Sequence, residues 1–216
     1  MDTPVNTSKI QNYLASYAIE NMSESTAAPT PFVVLLCGTY VTGKETLAFT
    51  LAEHYGCPKI KAGMSQFSAY SGARTQSRGG RYDYTQVFCR IWWAKLQQLG
   101  FPPDEKDVKG PCRAVLSCLA TSRQDRDAIR AAMRAQALKP IFIVLNITRE
   151  TLSGRTLGVE HPEDVEFANL KLEEKARFLE LPGEDETDVA LVDSMLEMDV
   201  LAGEIKGLVG RLSKGE

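Results

Sequence analysis

At 216 residues the chain suits one α/β domain with a short appendage, and 44% apolar with 25% charged residues is ordinary for a globular protein with a sizeable core. A net charge of −3 and a pI near 5.6 argue against a general nucleic-acid or membrane-surface binder. Five cysteines (Cys37, Cys57, Cys89, Cys112, Cys118) form no CxxC pair and no Cys/His metal spacing, so no metal site is read. Cys37 and Cys118 lie in apolar runs, where a thiol behaves as a small hydrophobe, and the odd count reads as reduced. No apolar run approaches the roughly 18 residues of a membrane span. The start of the chain has no leader-like apolar stretch, so the cytoplasm is the expected location.

In chain order, residues 1–31 read as an N-terminal helix and linker. Ile10, Tyr13, Leu14 and Tyr17 follow helical spacing, and Ser23 to Pro31 has linker composition. Such a helix docks on the domain or on a second copy, so a homodimer is one assembly the sequence allows. Residues 32–216 form the main domain. Phe32–Cys37 is a continuous apolar run of the kind a central parallel strand needs when both its faces are covered. Lys44–Tyr55 is helical in pattern, and Pro58–Lys61 is a short strand candidate. Residues 62–82, rich in Gly, Ser and Arg, read as a long loop. Tyr84–Leu99 is a helix in which one of the adjacent Trp92 and Trp93 faces the core. Arg113–Ala120 reads as a strand, Asp125–Leu138 as a helix and Pro140–Asn146 as a second buried strand. Thr148–Leu157 and Glu163–Leu181 read as helices, Asp188–Val192 as a last strand and Val200–Leu212 as a closing helix. Alternation of this kind implies a doubly wound parallel sheet of about five strands.

The chemistry-bearing segment is Gly38-Thr39-Tyr40-Val41-Thr42-Gly43-Lys44-Glu45, between a buried strand and a helix. A Walker A loop has G-x-x-x-x-G-K-[ST]: backbone N–H groups cradle phosphates, Lys reaches the outer phosphates, and the final hydroxyl holds Mg²⁺. Gly38, Gly43 and Lys44 are correctly spaced, but Glu45 stands at the hydroxyl position. The phosphate-loop candidates are Gly38, Thr39, Thr42, Gly43, Lys44 and Thr46. Thr46 offers a hydroxyl one residue late, which rotates it about 100° around the helix.

Leu181-Pro182-Gly183-Glu184-Asp185-Glu186-Thr187-Asp188-Val189 and Cys118-Leu119-Ala120-Thr121-Ser122, followed by Arg126-Asp127 and Arg130, carry a resemblance. The passages resemble those of the gluconokinase family, ATP-dependent sugar-acid kinases with a shikimate-kinase-like P-loop fold. Arg90 with Trp93 resembles a helix start of the same family, more weakly. The resemblance implies a P-loop kinase fold, a substrate cleft beside the loop, and ATP with Mg²⁺ if the kinase activity is kept. Departures fall on the chemistry. Tyr40 and Val41 replace Ser and Gly in the loop, where a β-branched residue resists positive φ. Ala62-Gly63-Met64 stands where the family has carboxylates, Ser122 where it has Lys, and Gly158-Val159-Glu160-His161 where it has a basic lid. The acidic run Glu184–Asp188 is expected to be a solvated turn.

Three readings follow. The first is a gluconokinase-like scaffold with degraded phosphoryl-transfer motifs, repurposed to bind or convert a small organic molecule in the old substrate cleft. The second is a divergent ATP-dependent sugar-acid-type kinase. The third is a non-catalytic regulatory or interaction subunit. Whether the chain is an enzyme stays open between them. Candidate catalytic residues are Lys44, Glu45 as a general base, and Asp83. Cleft candidates are Tyr40, Arg74, Arg78, Arg81, Tyr82, Tyr84, Arg90, Trp93 and His161. The expected partner is a small-molecule ligand, with no nucleic acid and no membrane.

Overall fold

A computed structural model of the chain describes residues 29–38, 42–77, 83–118, 122–147 and 180–216. The N-terminal helix and linker up to residue 28, and the two helices expected after Thr148 up to residue 179, lie outside the described residues. Five strands, β1 (Phe32–Cys37), β2 (Lys59–Lys61), β3 (Cys112–Ser117), β4 (Lys139–Asn146) and β5 (Val189–Asp193), form one sheet in the order β2-β3-β1-β4-β5. All four pairings are parallel. The helices are α1 (Lys44–Tyr55), α2 (Gly63–Ser77), α3 (Tyr84–Gln98), α4 (Arg123–Arg134) and α5 (Met198–Lys214), with a 3₁₀ turn at Glu105–Asp107.

Strand β1 is buried at every position because it lies between β3 and β4 and has helices on both faces. Its side chains alternate between two cores, as strand pleating requires. Val33, Leu35 and Cys37 join Phe88, Trp92, Ile129 and Phe142 beneath α2, α3 and α4. Phe32, Val34 and Leu36 join Leu47, Leu51, Ile205 and Val209 beneath α1 and α5. Capping follows local chemistry. Asp83 accepts the Gln86 amide at 2.9 Å at the start of α3, and Ser122 and Asp125 form a reciprocal capping box on α4. At the other end of α5, the Lys139 ammonium donates to the carbonyls of Leu212 and Ser213 at 2.6 and 3.2 Å.

The expected loop over 62–82 is corrected by α2. Its buried positions, with Ala62 before them, are Ser65, Gln66, Ala69 and Ala73, a helical spacing carried by small and polar side chains. Gly72 belongs to the same solution, since an added Cβ there would meet Ile91 Cδ1 of α3 at 2.6 Å. Composition suggested a loop because close helix packing needs the same residues. Helix α4 also stops at Arg134, short of the expected Leu138, and Ala137 turns the chain at φ 54°.

A second correction concerns Glu184–Asp188. Glu184 and Asp185 are exposed, but Glu186 is 7% exposed and sits between two guanidiniums of α4. Arg126, fully buried, donates Nε and Nη2 to its two oxygens at 2.8 and 2.6 Å, and Arg130 donates at 2.7 Å. The Gly183 amide adds a bond of 3.0 Å, and Arg130 also reaches Asp188 and Asp127. The Arg126 bonds, then those of Arg130 and Gly183, outweigh burial and hold the Glu186 carboxyl at about 2, below its ordinary 4.5.

The folded state therefore binds this proton less readily than the unfolded chain does. The associated stability is present above about pH 4.5 and is lost as pH falls toward 2. Urea unfolding between pH 6 and 2 is expected to show that loss. Glu186→Gln should flatten the acid slope and cost about 3 kcal/mol at neutral pH, because it leaves Arg126 buried without its anion.

Candidate functional site

Connections leaving β1 and β3 run in opposite directions along the sheet and over opposite faces, α1 on one and α4 on the other. Such a switch point opens a crevice at the carboxyl ends of the two strands. At its rim, Gly38 adopts φ 147°, and a Cβ there would lie 3.0 Å from the Leu145 carbonyl. Gly43, at φ 81°, is the N-cap of α1, a conformation that an L side chain rarely adopts. Lys44 opens the helix, and its ammonium donates to Thr42 Oγ1 at 3.3 Å, with Thr42 itself buried. Thr39, Tyr40 and Val41 lie outside the described residues.

Glu45 reaches across the crevice. One carboxylate oxygen accepts the hydroxyl of Ser117, the last residue of β3, at 2.6 Å, and the other lies 3.6 Å from Lys59 Nζ on β2. The residue is thus engaged by two strands of the sheet. Thr46 is exposed, and its carbonyl accepts the Thr50 hydroxyl at 3.2 Å, so it does not take over that position. Just below, the sulfurs of Cys37 and Cys118 are 3.3 Å apart at the ends of β1 and β3. Burial first, then Cys118, pushes the Cys37 thiol well up, against the opposing influence of Arg126 and Lys44.

Beyond β3 the three helices α2, α3 and α4 bring a polar-aromatic group together. Gln66, fully buried, donates to the Tyr70 phenol at 3.0 Å, and Asp125 at the start of α4 acts electrostatically on that phenol. The Tyr70 ring stacks on Phe88 and, at 6.5 Å, lies nearly parallel to Tyr84. Burial chiefly, and then Asp125, pushes the Tyr70 phenol up; burial also raises Tyr84, which the positive charge of Arg74 opposes.

Of the residues singled out by sequence, Lys44, Glu45, Arg74 and Tyr84 fall on the crevice or this neighbouring group. Asp83 serves as a helix cap. Arg90 is exposed and donates to Gln76 at 2.8 Å, tying α3 to α2. Trp93 is half-buried with its ring edge-on to Phe101, away from the loop end of α3. Arg78, Arg81, Tyr82 and His161 lie outside the described residues. Sequence reasoning missed Ser117, Gln66, Tyr70 and Asp125. The α2 pair was hidden by the loop reading, and Ser117 carries no signal apart from its place at a strand end. Among the described residues no helix is long and apolar enough to cross a membrane.

No family model matches the sequence, and no curated protein matches it significantly. Solved structures do match in fold. A gluconokinase from Sinorhizobium meliloti 1021 superposes with a TM-score of 0.56 at 20% identity, covering 86% of this chain and 95% of its own. A sugar kinase from a Janibacter species gives 0.54 at 18% identity, covering 86% and 98%. The tunicamycin resistance protein of Deinococcus radiodurans gives 0.50 at 15% identity, covering 83% and 96%. Identities this low speak for architecture. With the sheet order, the parallel pairings and the strand–loop–helix around Lys44, they establish that the chain has the gluconokinase-like fold of the P-loop small-molecule kinases.

Proposed function

We propose that the protein binds or converts a small organic molecule in the crevice above β1 and β3, on a scaffold that no longer performs magnesium–ATP phosphoryl transfer. The observation that carries this reading is Glu45. Where a Walker A loop presents a hydroxyl to Mg²⁺, this chain presents a carboxylate already engaged by Ser117 and Lys59. A carboxylate beside a triphosphate repels it unless a cation intervenes, and the cation in contact with Glu45 is Lys59 of β2. As placed, Glu45 with Ser117 and Lys59 does not fit a metal-bound triphosphate. Among the described residues no three His, Cys, Asp or Glu side chains gather into a metal-ligating group.

Gln66, Tyr70, Tyr84, Arg74 and Asp125 supply what a small polar ligand needs instead. They combine donors, acceptors and aromatic faces on the helices that follow β2 and β3. Glu45, hydrogen-bonded and accessible at the rim, is the group placed to exchange a proton with such a ligand.

Thermal-shift titration is expected to show no magnesium-dependent stabilisation by ATP. A screen of small polar metabolites should yield stabilising ligands whose effect is lost in Arg74→Ala and reduced in Tyr84→Phe. ATP-dependent phosphorylation of gluconate that disappears in Lys44→Ala would overturn the reading in favour of a divergent sugar-acid kinase. Separately, Ser117→Ala should cost about 1 kcal/mol in urea unfolding, the worth of one hydrogen bond to a charged group whose carboxylate can still reach water.

A further inference from the structure

Two cysteine pairs bracket the β1/β3 seam, and they differ in everything except proximity. Cys37 and Cys118 are the closer pair at 3.3 Å, but both are buried and burial holds the Cys37 thiol well up. Cys57 and Cys112, at the opposite end of the sheet, have their sulfurs 3.7 Å apart. Cys112 is the first residue of β3 and is buried. Cys57 follows Gly56, the C-cap of α1, and is part-exposed on a surface groove lined by Phe49, Lys59, Phe101, Pro102 and Lys109.

We propose that Cys57 and Cys112 form a thiol–disulfide exchange site, in which Cys57 is the attacking sulfur, Cys112 the resolving one, and a low-molecular-weight disulfide the oxidant. The geometry assigns the roles, since only Cys57 opens onto the groove and only Cys112 lies behind it within reach. The contact between the two sulfurs holds the Cys57 thiol below its usual value, and that contact together with burial raises the Cys112 thiol. Bond formation closes the separation from 3.7 Å to the roughly 2.05 Å of a disulfide, a distance that side-chain rotation covers.

The reaction balances in two exchanges. Cys57 thiolate attacks one sulfur of glutathione disulfide, forming a mixed disulfide and releasing one glutathione thiolate, which takes up a proton. Cys112 then loses its proton and attacks Cys57 Sγ, expelling the second glutathione. Two electrons pass from the protein dithiol to the small disulfide. The product is a covalent link between the end of α1 and the start of β3. Because α1 also carries Lys44 and Glu45, the link fastens to the sheet the far end of the helix that forms the crevice rim.

The test incubates the folded, reduced full chain with glutathione disulfide, quenches with an alkylating agent, and maps the cysteines by mass spectrometry after unfolding. The expected product contains the Cys57–Cys112 disulfide, with Cys37 and Cys118 recovered alkylated. Cys112→Ser should stop at glutathione on Cys57, and Cys57→Ser should lose both products. Recovery of Cys57 as an alkylated thiol in the wild type would overturn the proposal. So would preferential modification of Cys89 or of the Cys37–Cys118 pair. The wild-type map decides the matter even if a variant fails to fold.

Discussion

The carboxylate of Glu186 is the joint on which this structure turns. Removing one carboxylate and two guanidiniums from water costs several kcal/mol per ion, and good geometry is needed to recover it. Here that geometry is met by fork-to-carboxylate bonds from Arg126, a further bond from Arg130 and an amide from Gly183. The network joins α4, which starts beside the crevice, to the segment that leads into β5 at the sheet edge. It therefore fixes the approach of α4, and with it Asp125, Ser122 and the end of β3. The Arg126 bond to the Glu180 carbonyl extends the same anchorage upstream. A buried ionic joint contributes less to stability than an apolar contact of equal volume would, but it tolerates fewer alternative arrangements.

The framework was legible in the sequence wherever burial is dictated by large apolar side chains. β1 and the centre of β4 (Ile141 to Leu145) are uninterrupted apolar runs, and α1 lies between two glycines at φ 81° and 60°. Legibility failed where the same physical outcome is reached with atypical residues. Helix α2 buries Ser65 and Gln66, and its small residues serve a tight approach to α3 while carrying almost no hydropathy signal. Glu186 looked like one charge among several solvated ones, because nothing local distinguishes a carboxylate that finds two arginines 56 and 60 residues away. The crevice was legible through its glycines and Lys44. What lies beside it was not, since Ser117 meets Glu45, and Tyr70 meets Phe88 and Tyr84, only through the sheet order and the packing of α2 on α3.

Glu45 joins the loop helix to the sheet. Its backbone still begins α1 behind Gly43, so the helix is preserved. Its side chain bridges to Ser117 of β3 and Lys59 of β2, so the position cross-braces the protein. The sugar-kinase-like fold and the reading proposed for its chemistry thus meet at a single residue.

The alternation of β1 between two cores has a consequence for how this protein can change. The groups under α2, α3 and α4 and those under α1 and α5 meet chiefly through the strands themselves, so they share few side-chain partners. Substitutions on opposite faces of the sheet are then close to energetically independent, and their effects add. A lineage can rework the polar-aromatic group around Tyr70 without disturbing the face that holds the loop helix. Modularity of that kind lets a scaffold keep its architecture while its ligand drifts.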